Sequence, residues 1–600
     1  MLLPTIAGWL CFGSLALAAS IPVHADPFPT QDEWAKRQLD VSACINDPKS
    51  RACFSGNLNI STDFDAIPPP PGVTVTYNLE ITNVTRPNLD GSGGSRLFML
   101  INGQYPGPTI RAKWGDTVVV NVKNSLQYNG TGLHFHGVRQ LNTNQNDGVP
   151  GITECPIAPG KTRQYKFQCT QFGTTWYHSH WSVQYGDGVL GPLIIDGPAS
   201  ANYDVDLGSL PMTEYYYIPA FTANEQAQHT ASGPPTPDNI LINGTHVNAK
   251  NDNGKYAKIN VVNGKKYRIR LINSAVDTNF HVSFDGHPMT VITADFVPIV
   301  PFVTNQLSLA IGQRHDIIIT ANQTVGNYWM RVSIGTDGQC GSNAMLSSGK
   351  QIGAVLHYSG ASTTDNPTST STVTMRTTCD DESTSNLVPF VSNQVPSNVV
   401  TTANQEIKFT DAEYPDQDNL LRWLIDESAQ NVNWNEPTLR TVLGGSTNFG
   451  NNSNVYTMNG SGWFLWYIQS TASVNLPHPM HLHGHDFYIL GRGSGTWDGS
   501  TAGLNFNNPT RRDTAVLPSA GYMLMAFPAD NPGMWLMHCH IAWHVSQGFG
   551  LQFMERKDEI KGSIGDTSMI QPGCDDWDAY WPEGSKPTAA HPYEKDDSGI

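Results

Sequence analysis

The strongest constraint on the fold is an internal repeat, because each copy of a repeated unit must form the same structure. The segments Ile101–Ser125 and Ile242–Ser274 both begin with Ile-Asn-Gly and then alternate apolar and polar residues around a turn. Three other segments place a tryptophan ahead of an alternating strand: Thr174–His180, Asn327–Ser333 and Met534–His540. This period is typical of β-strands, and Gly, Pro and Asn turns separate them. We therefore predict an all-β chain of three tandem β-sandwich domains.

The chain of 600 residues is too long for one core, which agrees with the repeat. We predict domains at residues 38–199, 200–360 and 361–600. The Ser/Thr-rich stretch Ser359–Thr378 is expected to be a surface linker before the third domain. Helical periodicity is scarce, with one short helix expected near Cys574–Trp581.

The N-terminus indicates export. Residues 1–25 are predicted to be a signal peptide, because Leu2–Ala19 is apolar and a small-residue motif ends at Ala25. The basic pair at Lys36 and Arg37 marks a candidate cleavage site, which would make residues 26–37 a propeptide. No later segment approaches the ~20 apolar residues of a membrane helix. We expect a secreted, soluble and monomeric protein without a membrane partner.

Charge and sequons support that expectation. The formal net charge is −17, which argues against a nucleic-acid or anionic-membrane partner. The sequence contains Asn-x-Ser/Thr sequons throughout, as expected of a glycoprotein. They begin at Asn59, Asn83, Asn129, Asn243, Asn322, Asn451 and Asn459.

The copies of the repeat differ in their histidines. The closing strand of the first copy contains His-Ser-His at His178–His180, and that of the third contains His-Cys-His at His538–His540. The second copy has Arg331 and Ser333 where the others have histidines. We predict metal in the third copy and between the first and third, with none in the second.

Ten histidines and one cysteine form four clusters in matching strands. They are His134 and His136; His178 and His180; His478, His481 and His483; and His538, Cys539, His540 and His544. One such pair is weak evidence, but four clusters indicate metal binding. Imidazole suits several metals, while two histidines and a cysteine with a weak axial position are typical of blue copper sites. A structural zinc site usually has more thiolate, so the sequence favours copper.

The four clusters resemble the signature motifs of multicopper oxidases, and nearly the whole mature chain resembles fungal laccases of the ascomycete type. The resemblance implies cupredoxin-like Greek-key domains and four copper ions: one type 1, one type 2 and a type 3 pair. The implied type 1 ligands are His478, Cys539 and His544, the type 2 ligands His134 and His481, and the type 3 ligands His136, His178, His180, His483, His538 and His540. His485 has no ligand role in this pattern.

The resemblance also implies a reaction. Phenols or aromatic amines would lose one electron at a time at type 1 copper, and dioxygen would be reduced to water at the trinuclear cluster. In a strand, His538 and His540 point to one face and Cys539 to the other, so one short segment would connect the two sites.

Further residues are predicted to take part. His478 is included as a type 1 ligand at the reacting centre. Asp147 would relay protons to reduced oxygen, and Asp277 would accept the phenol proton. Phe549 lies ten residues after Cys539, at the expected axial position, where a side chain that cannot ligate raises the copper potential.

Eight cysteines remain after signal removal, and secretion favours disulfides. If Cys539 binds metal, at least one of the others is unpaired, and the sequence alone leaves the pairing open. The resemblance implies three disulfides and a free Cys169. They would join Cys44 with Cys53, Cys155 with Cys574, and Cys340 with Cys379.

The C-terminus, Asp597–Ile600, also resembles the family pattern. Chain ends are commonly disordered, but the resemblance implies a tail that fills the solvent channel toward the trinuclear cluster. We predict an ordered tail with its carboxylate near the type 3 histidines.

Two alternatives stay open. A metallo-oxidase for Fe(II) would need carboxylates beside His478 and His544, and their sequence neighbours supply none. A copper-binding electron carrier would need only the type 1 site, which leaves the other eight histidines without a purpose.

Overall fold

The computed structural model of the protein describes residues 45–229, 233–337, 341–399, 405–450, 452–582 and 596–600. Strands dominate these ranges, and the prediction of an all-β fold is confirmed. The predicted signal peptide and the candidate propeptide at residues 26–37 lie outside the described residues. None of the described helices is long and apolar enough to cross a membrane.

The first copy of the repeat forms two four-stranded sheets. Its strands are β1 (Thr74–Pro87), β2 (Ser95–Ile101), β3 (Ile110–Lys113), β4 (Thr117–Ser125), β5 (Leu133–Phe135), β6 (Thr162–Gln168), β7 (Gly173–Ser179) and β8 (Leu190–Asp196). The strand orders are β2-β1-β4-β6 and β3-β8-β7-β5.

The second copy forms a six-stranded and a five-stranded sheet. Its strands are β9 (Val205–Tyr215), β10 (Asn239–Ile242), β11 (Lys258–Val261), β12 (Lys266–Asn273), β13 (Phe280–Phe284), β14 (Met289–Ala294), β15 (Val297–Thr304), β16 (Leu307–Leu309), β17 (Arg314–Thr320), β18 (Asn327–Ile334) and β19 (Gly353–Tyr358). The orders are β10-β9-β12-β17-β14-β15 and β11-β19-β18-β13-β16.

The third copy has the same arrangement as the second. Its strands are β20 (Gln405–Tyr414), β21 (Leu420–Ile425), β22 (Val455–Met458), β23 (Trp463–Ser470), β24 (His478–Leu482), β25 (Phe487–Ser494), β26 (Arg511–Arg512), β27 (Thr514–Leu517), β28 (Gly521–Pro528), β29 (Gly533–Cys539) and β30 (Gly550–Glu555). The orders are β21-β20-β23-β28-β25-β26 and β22-β30-β29-β24-β27.

Five α-helices accompany the sheets in the described ranges. They are α1 (Ala220–Gln228), α2 (Thr438–Leu443), α3 (Ala542–Ser546), α4 (Lys557–Ser563) and α5 (Ile570–Tyr580). The last of these confirms the helix expected near Cys574–Trp581.

Two parallel pairs recur in each copy, one in each sheet, and the other described strand pairs are antiparallel. In one sheet of each copy they are β3 with β8, β11 with β19, and β22 with β30. In the other sheet they are β1 with β4, β9 with β12, and β20 with β23. Parallel neighbours need a crossover connection, so the chain must leave the sheet between them, as in Greek-key sandwiches. No described strand crosses residues 199–200 or 360–361, and the domain boundaries themselves stay a prediction.

Strand register aligns the histidine clusters. In the first copy, β5 and β7 are antiparallel and place His134 opposite His178. In the third copy, β24 and β29 place His481 opposite His538 and Met480 opposite Cys539. Because side chains alternate along a strand, Cys539 and His538 point to opposite faces of this sheet.

A buried core joins the first copy to the end of the chain. Val149 and Ile152 pack in it with Trp577 of α5 and with Ile600. The predicted disulfide between Cys155 and Cys574 lies in the same core and is confirmed. It closes a loop of 419 residues, and such a crosslink stabilises the fold mainly by restricting the unfolded chain.

The remaining cysteines are partly described. Cys169 is a buried free thiol, as predicted. Cys53 and Cys379 are both disulfide-bonded, whereas their predicted partners, Cys44 and Cys340, lie outside the described residues.

Candidate metal centre

Three side chains of the third copy converge on one point. Cys539 ends β29, His478 begins β24, and His544 lies in α3. The Cys539 Sγ lies 3.8 Å from His478 Nδ1 and 3.6 Å from His544 Nδ1. The two Nδ1 atoms are 3.2 Å apart, so these atoms form a compact triangle that suits one ion.

Two aromatic side chains, Phe549 and Trp423, pack against the histidines of this triangle. The ring of Phe549 is fully buried, with its centroid 4.8 Å from that of His478. The ring of Trp423 lies 4.8 Å from His478 and 4.4 Å from His544. Neither side chain can ligate a metal through its ring, so the aromatic groups exclude water from the three donors. His544 is 7% exposed and His478 is 0% exposed, so His544 forms the accessible edge.

The other eight histidines form a second, larger group between the first and third copies. In each of two triplets, the possible ligand atoms lie within 4.8 Å of one another. One triplet is His136, His178 and His540, and the other is His180, His483 and His538. The possible ligand atoms of His134, His481 and His136 also lie within 4.8 Å of one another. The possible ligand atoms of the eight histidines thus face one buried space, the cavity between the first and third copies, and His136 belongs to two of the groups.

The orientations of the rings leave lone pairs pointing into this cavity. His134 Nδ1 bonds to the carbonyl of Asp147 at 2.8 Å, His178 Nδ1 to Ser179 at 3.0 Å, and His481 Nδ1 to Asp513 at 2.9 Å. These Nδ1 atoms are therefore donors. The Nε2 atoms of the same three rings are buried without hydrogen-bond partners among the described residues. Such atoms are costly to bury unless a metal binds them.

Burial keeps the imidazoles neutral, which is the form that binds metal. It lowers the pKa of His538 and of His478 to about 3. Burial and neighbouring imidazoles likewise hold the pKa of His481 well below its usual value. Burial also raises the pKa of the Cys539 thiol, so its thiolate needs a bound cation. The donors are nitrogen and one sulfur, a set that fits copper.

Asp147 lies directly behind two of these histidines. Its carboxylate is 2.8 Å from His483 Nδ1 and 3.2 Å from His134 Nδ1, and it is fully buried. One histidine belongs to the first copy and the other to the third. Asp147 therefore orients ligands from both sides of the cavity through their outer nitrogens.

A second carboxylate, which the sequence did not reveal, orients His136. Asp513 Oδ1 and Thr514 Oγ1 each lie 3.2 Å from His136 Nε2. Arg314 of the second copy donates to both oxygens of Asp513, at 2.7 and 2.6 Å. His136 is thus held by Nε2, and its Nδ1 faces the cavity, 3.2 Å from His540 Nε2.

Family comparison agrees with this geometry. Three models described as multicopper oxidase match residues 80–200, 208–361 and 424–559. Together these ranges cover more than half of the chain.

The chain belongs to the multicopper oxidase family.

Curated relatives of this multicopper oxidase include Laccase-2 of Botryotinia fuckeliana, 40% identical over 98% of this chain and 97% of the relative. The laccase of Neurospora crassa is 42% identical over 95% and 92%. Among solved structures, the Botrytis aclada laccase gives a TM-score of 0.85 at 40% identity, covering 93% of this chain and all of that one. The protein is therefore an oxidoreductase of the laccase group.

A more distant structure is similar over a comparable length. Fet3p, a multicopper oxidase that functions in iron import, gives a TM-score of 0.72 at 25% identity. It covers 88% of this chain and 99% of its own.

Asp277 of the multicopper oxidase lies close to the accessible edge of the sulfur-containing site. It is in the loop between β12 and β13 and is partly buried. Its carboxylate faces the indole of Trp543, which directly precedes His544. Burial and then the charge of Glu214 raise the pKa of Asp277 well above its usual value.

The last residues of the enzyme are buried between copies of the repeat. Asp597 accepts a hydrogen bond from Ser182 at 2.5 Å and one from Asn224 at 3.2 Å. The backbone of Ser598 donates to Ser546 at 2.7 Å. Ile600 is 1% exposed. The position of its carboxylate relative to the type 3 histidines stays a prediction.

His485 and the second-copy histidines are bound elsewhere. His485 Nε2 lies 2.9 Å from Glu555 and is in none of the ligand groups.

Sequence reasoning missed Trp423, Asp513 and Arg314, which lie outside the histidine motifs. The charged run Arg-Arg-Asp-Thr at Arg511–Thr514 is the one local feature of the sequence that could have drawn attention to Asp513.

Proposed function

We propose that the protein is a secreted laccase that oxidises phenols or aromatic amines one electron at a time and reduces dioxygen to water. The observation that carries the proposal is the junction of the two ligand groups. Cys539 belongs to one group, and its sequence neighbours His538 and His540 belong to the other. A protein that only carries electrons needs one copper site, and it does not need a second ligand group joined to that site through neighbouring residues.

The ligand groups support four copper ions. Three donors surround one position, and the eight histidines supply a pair and two triplets. When bound, the copper ions supply one-electron oxidation at the first site and four-electron reduction of dioxygen at the others. We assign type 1 to His478, Cys539 and His544, type 2 to His134 and His481, and type 3 to the six remaining histidines.

The chain itself supplies substrate contact and proton transfer. We propose that the phenol lies against His544, because that histidine is more exposed than His478. Asp277 then accepts the phenolic proton, since a carboxylate of raised pKa is a stronger base. Asp147 holds His134 and His483 in their binding tautomers and is the proposed proton relay on the dioxygen side.

Phe549 and the tail are assigned supporting roles. Phe549 lies beside His478 and offers no ligand atom, so a type 1 copper held by His478, Cys539 and His544 would be stabilised in its reduced state. The buried tail Asp597–Ile600 is proposed to limit water access to the trinuclear group. We further propose a monomer with phenols and dioxygen as its small-molecule partners and no nucleic-acid or membrane partner.

One experiment separates the candidate activities. Oxygen uptake is recorded with a phenol, an aromatic amine and Fe(II), and copper content is measured on the same preparation. The proposal expects four coppers and faster turnover of the organic donors. The similarity to Fet3p makes Fe(II) oxidation the second candidate, and preferential Fe(II) turnover would favour it. Blue protein without oxygen uptake would indicate an electron carrier.

A further inference from the structure

A second carboxyl group lies buried beside Asp277. Glu214 is near the end of β9 and is 4% exposed. Its Oε1 accepts a hydrogen bond from the backbone N–H of Asp277 at 2.5 Å, and its Oε2 accepts one from Val276 at 3.2 Å. One side chain therefore binds two consecutive residues of the loop that carries Asp277.

Glu214 has no cationic partner in the described part of the chain. No lysine or arginine forms an ion pair with it or with Asp277 there. Its charge acts instead on other groups that face it, namely Tyr105, Tyr185, Tyr216 and Asp277. The backbone N–H groups of Val276 and Asp277 are thus what stabilises the Glu214 carboxylate against the cost of burial.

The two carboxyl groups face one buried polar space. Tyr216 and Trp543 meet there edge to face, with ring centroids 5.9 Å apart. The Tyr216 hydroxyl, the Thr278 hydroxyl and the Trp543 indole N–H are buried without a well-aligned hydrogen-bond partner among the described residues. Trp543 faces Asp277, and the charges of Glu214 and Asp277 both act on Tyr216.

Two adjacent buried carboxyl groups without a cation resist double ionisation. Burial raises the pKa of Glu214 to about 7, and backbone N–H donors oppose that rise. Burial and the charge of Glu214 also raise the pKa of Asp277 well above its usual value. Because Glu214 accepts the backbone hydrogen bonds of the loop, it is the carboxyl group that is better able to hold a negative charge.

We propose that Glu214 is a positioning residue for Asp277: it fixes the loop through backbone hydrogen bonds to Val276 and Asp277, and it places a second carboxyl group beside the one that accepts the phenolic proton. This inference rests on the proposed oxidation of phenols at the type 1 site. When a phenol loses its electron to that site, its O–H bond breaks and the proton passes to the Asp277 carboxylate. Glu214 stays ionised and forms no bond to the substrate.

The test compares Glu214→Gln with the wild type over a pH series, using a phenol and a non-phenolic one-electron donor. The variant loses the repulsion between the carboxyl groups, so the pKa of Asp277 falls. The acid-side limb of kcat/KM for the phenol should move to lower pH by about one unit. The profile for the non-phenolic donor should stay where it was.

A matched control is Glu382→Gln, which replaces another buried glutamate. Glu382 accepts from Arg376 at 3.0 Å and from Asn386 at 3.0 Å, so its partners are outside this site. It should leave the phenol profile in place. If Glu214→Gln behaves like this control, or moves both donor profiles equally, the proposal is overturned.

Two further measurements keep the outcomes separate. If Asp277→Asn leaves phenol oxidation unchanged, the role of Asp277 fails together with this inference. If Asp277→Asn slows phenols but Glu214→Gln moves nothing, only the present inference fails. Should Glu214→Gln not fold, infrared difference spectra of copper-free wild type and Asp277→Asn decide. A protonated carboxyl band at neutral pH that disappears in Asp277→Asn supports the proposal, and its absence from the wild type overturns it.

Discussion

The second copy of the repeat has the sheet order of the third, yet it contains none of the proposed copper ligands. It does retain a histidine in the relevant strand, His281 of β13, opposite Ser333 of β18. Both ring nitrogens of His281 are already bonded, Nδ1 to Ser308 at 2.9 Å and Nε2 to the carbonyl of Thr378 at 2.6 Å. A histidine can bind a metal only through a ring nitrogen that makes no hydrogen bond, and both nitrogens of His281 make one.

The second copy contributes to the other two from outside. Gly312 packs so closely on the trinuclear group that a Cβ there would lie 2.9 Å from His540 and 3.0 Å from His136. Arg314 holds Asp513, and the loop of Asp277 reaches the type 1 side. The second and third copies therefore share one sheet order, but only the third carries proposed copper ligands, while the second copy supports the ligand groups of the other two.

The largest expected effect comes from making the third copy resemble the first. Cys539→Ser introduces the serine that the first copy has at Ser179. A hydroxyl is not ionised at neutral pH and does not replace a thiolate ligand. We expect loss of the blue absorption band and of phenol oxidation to below detection. Retention of either, measured by absorption spectroscopy and oxygen uptake, contradicts the type 1 assignment.

The next effect tests the support role of the second copy. Arg314→Met leaves Asp513 buried without its cation, whereas Asp295 keeps Arg512, and loss of one partner of a buried ion pair typically costs about 3–5 kcal/mol. We expect lower stability in chemical denaturation and loss of type 2 copper by electron paramagnetic resonance. Arg331→Met is the control, since it breaks a partly exposed pair with Asp285. Equal copper loss in both variants would mean that the network merely stabilises the fold.

Asp277→Asn tests the contribution of the second copy to the reaction. The amide keeps the shape but accepts no proton, so kcat/KM for phenols should fall roughly 100-fold. Because phenols ionise by themselves at high pH, their optimum should move upward. Steady-state kinetics with a non-phenolic donor should show little change. A similar loss with both donors would assign Asp277 to the fold alone.

Deletion of Asp597–Ile600 tests the contact between copies at the chain end. The tail bonds to Ser182 of the first copy, Asn224 of α1 and Ser546 of the third. We expect altered oxygen turnover or type 2 copper retention, with the blue band unchanged. A truncated enzyme that equals wild type in both properties would rule out the channel role.

The smallest expected effect is a change in the type 1 potential when Phe549 of the third copy is replaced. Phe549→Met offers a weak thioether ligand, which stabilises the oxidised ion and lowers the type 1 potential in a redox titration. Phe409→Met is the control, because Phe409 packs on Phe549 with centroids 4.5 Å apart and does not face the ligand triangle. A potential that rises or stays constant in Phe549→Met would place Phe549 away from the axial side.

The sequence predicted what repeats or clusters along the chain. The copies share a strand period, and the histidines within a cluster stand two to four residues apart, so both signals are local. Asp513, Arg314 and Glu214 are different, because each acts on a residue far away in sequence. His136 and Asp513 are 377 residues apart, and only the packing of the copies brings them together. Which nitrogen of each histidine is free also depends on carbonyl groups whose positions follow from strand register.

The division of the trinuclear group between the first and third copies affects the order of events during synthesis. His136 and His540, whose ring nitrogens lie 3.2 Å apart, are separated by 404 residues. At about 5–20 residues per second, a ribosome needs on the order of 20–80 s to synthesise that stretch. The first sandwich can therefore fold long before its histidines meet their partners. An ion that needs histidines from both copies can bind only after the third copy has been synthesised, and until then the histidines of the first copy lack those partners.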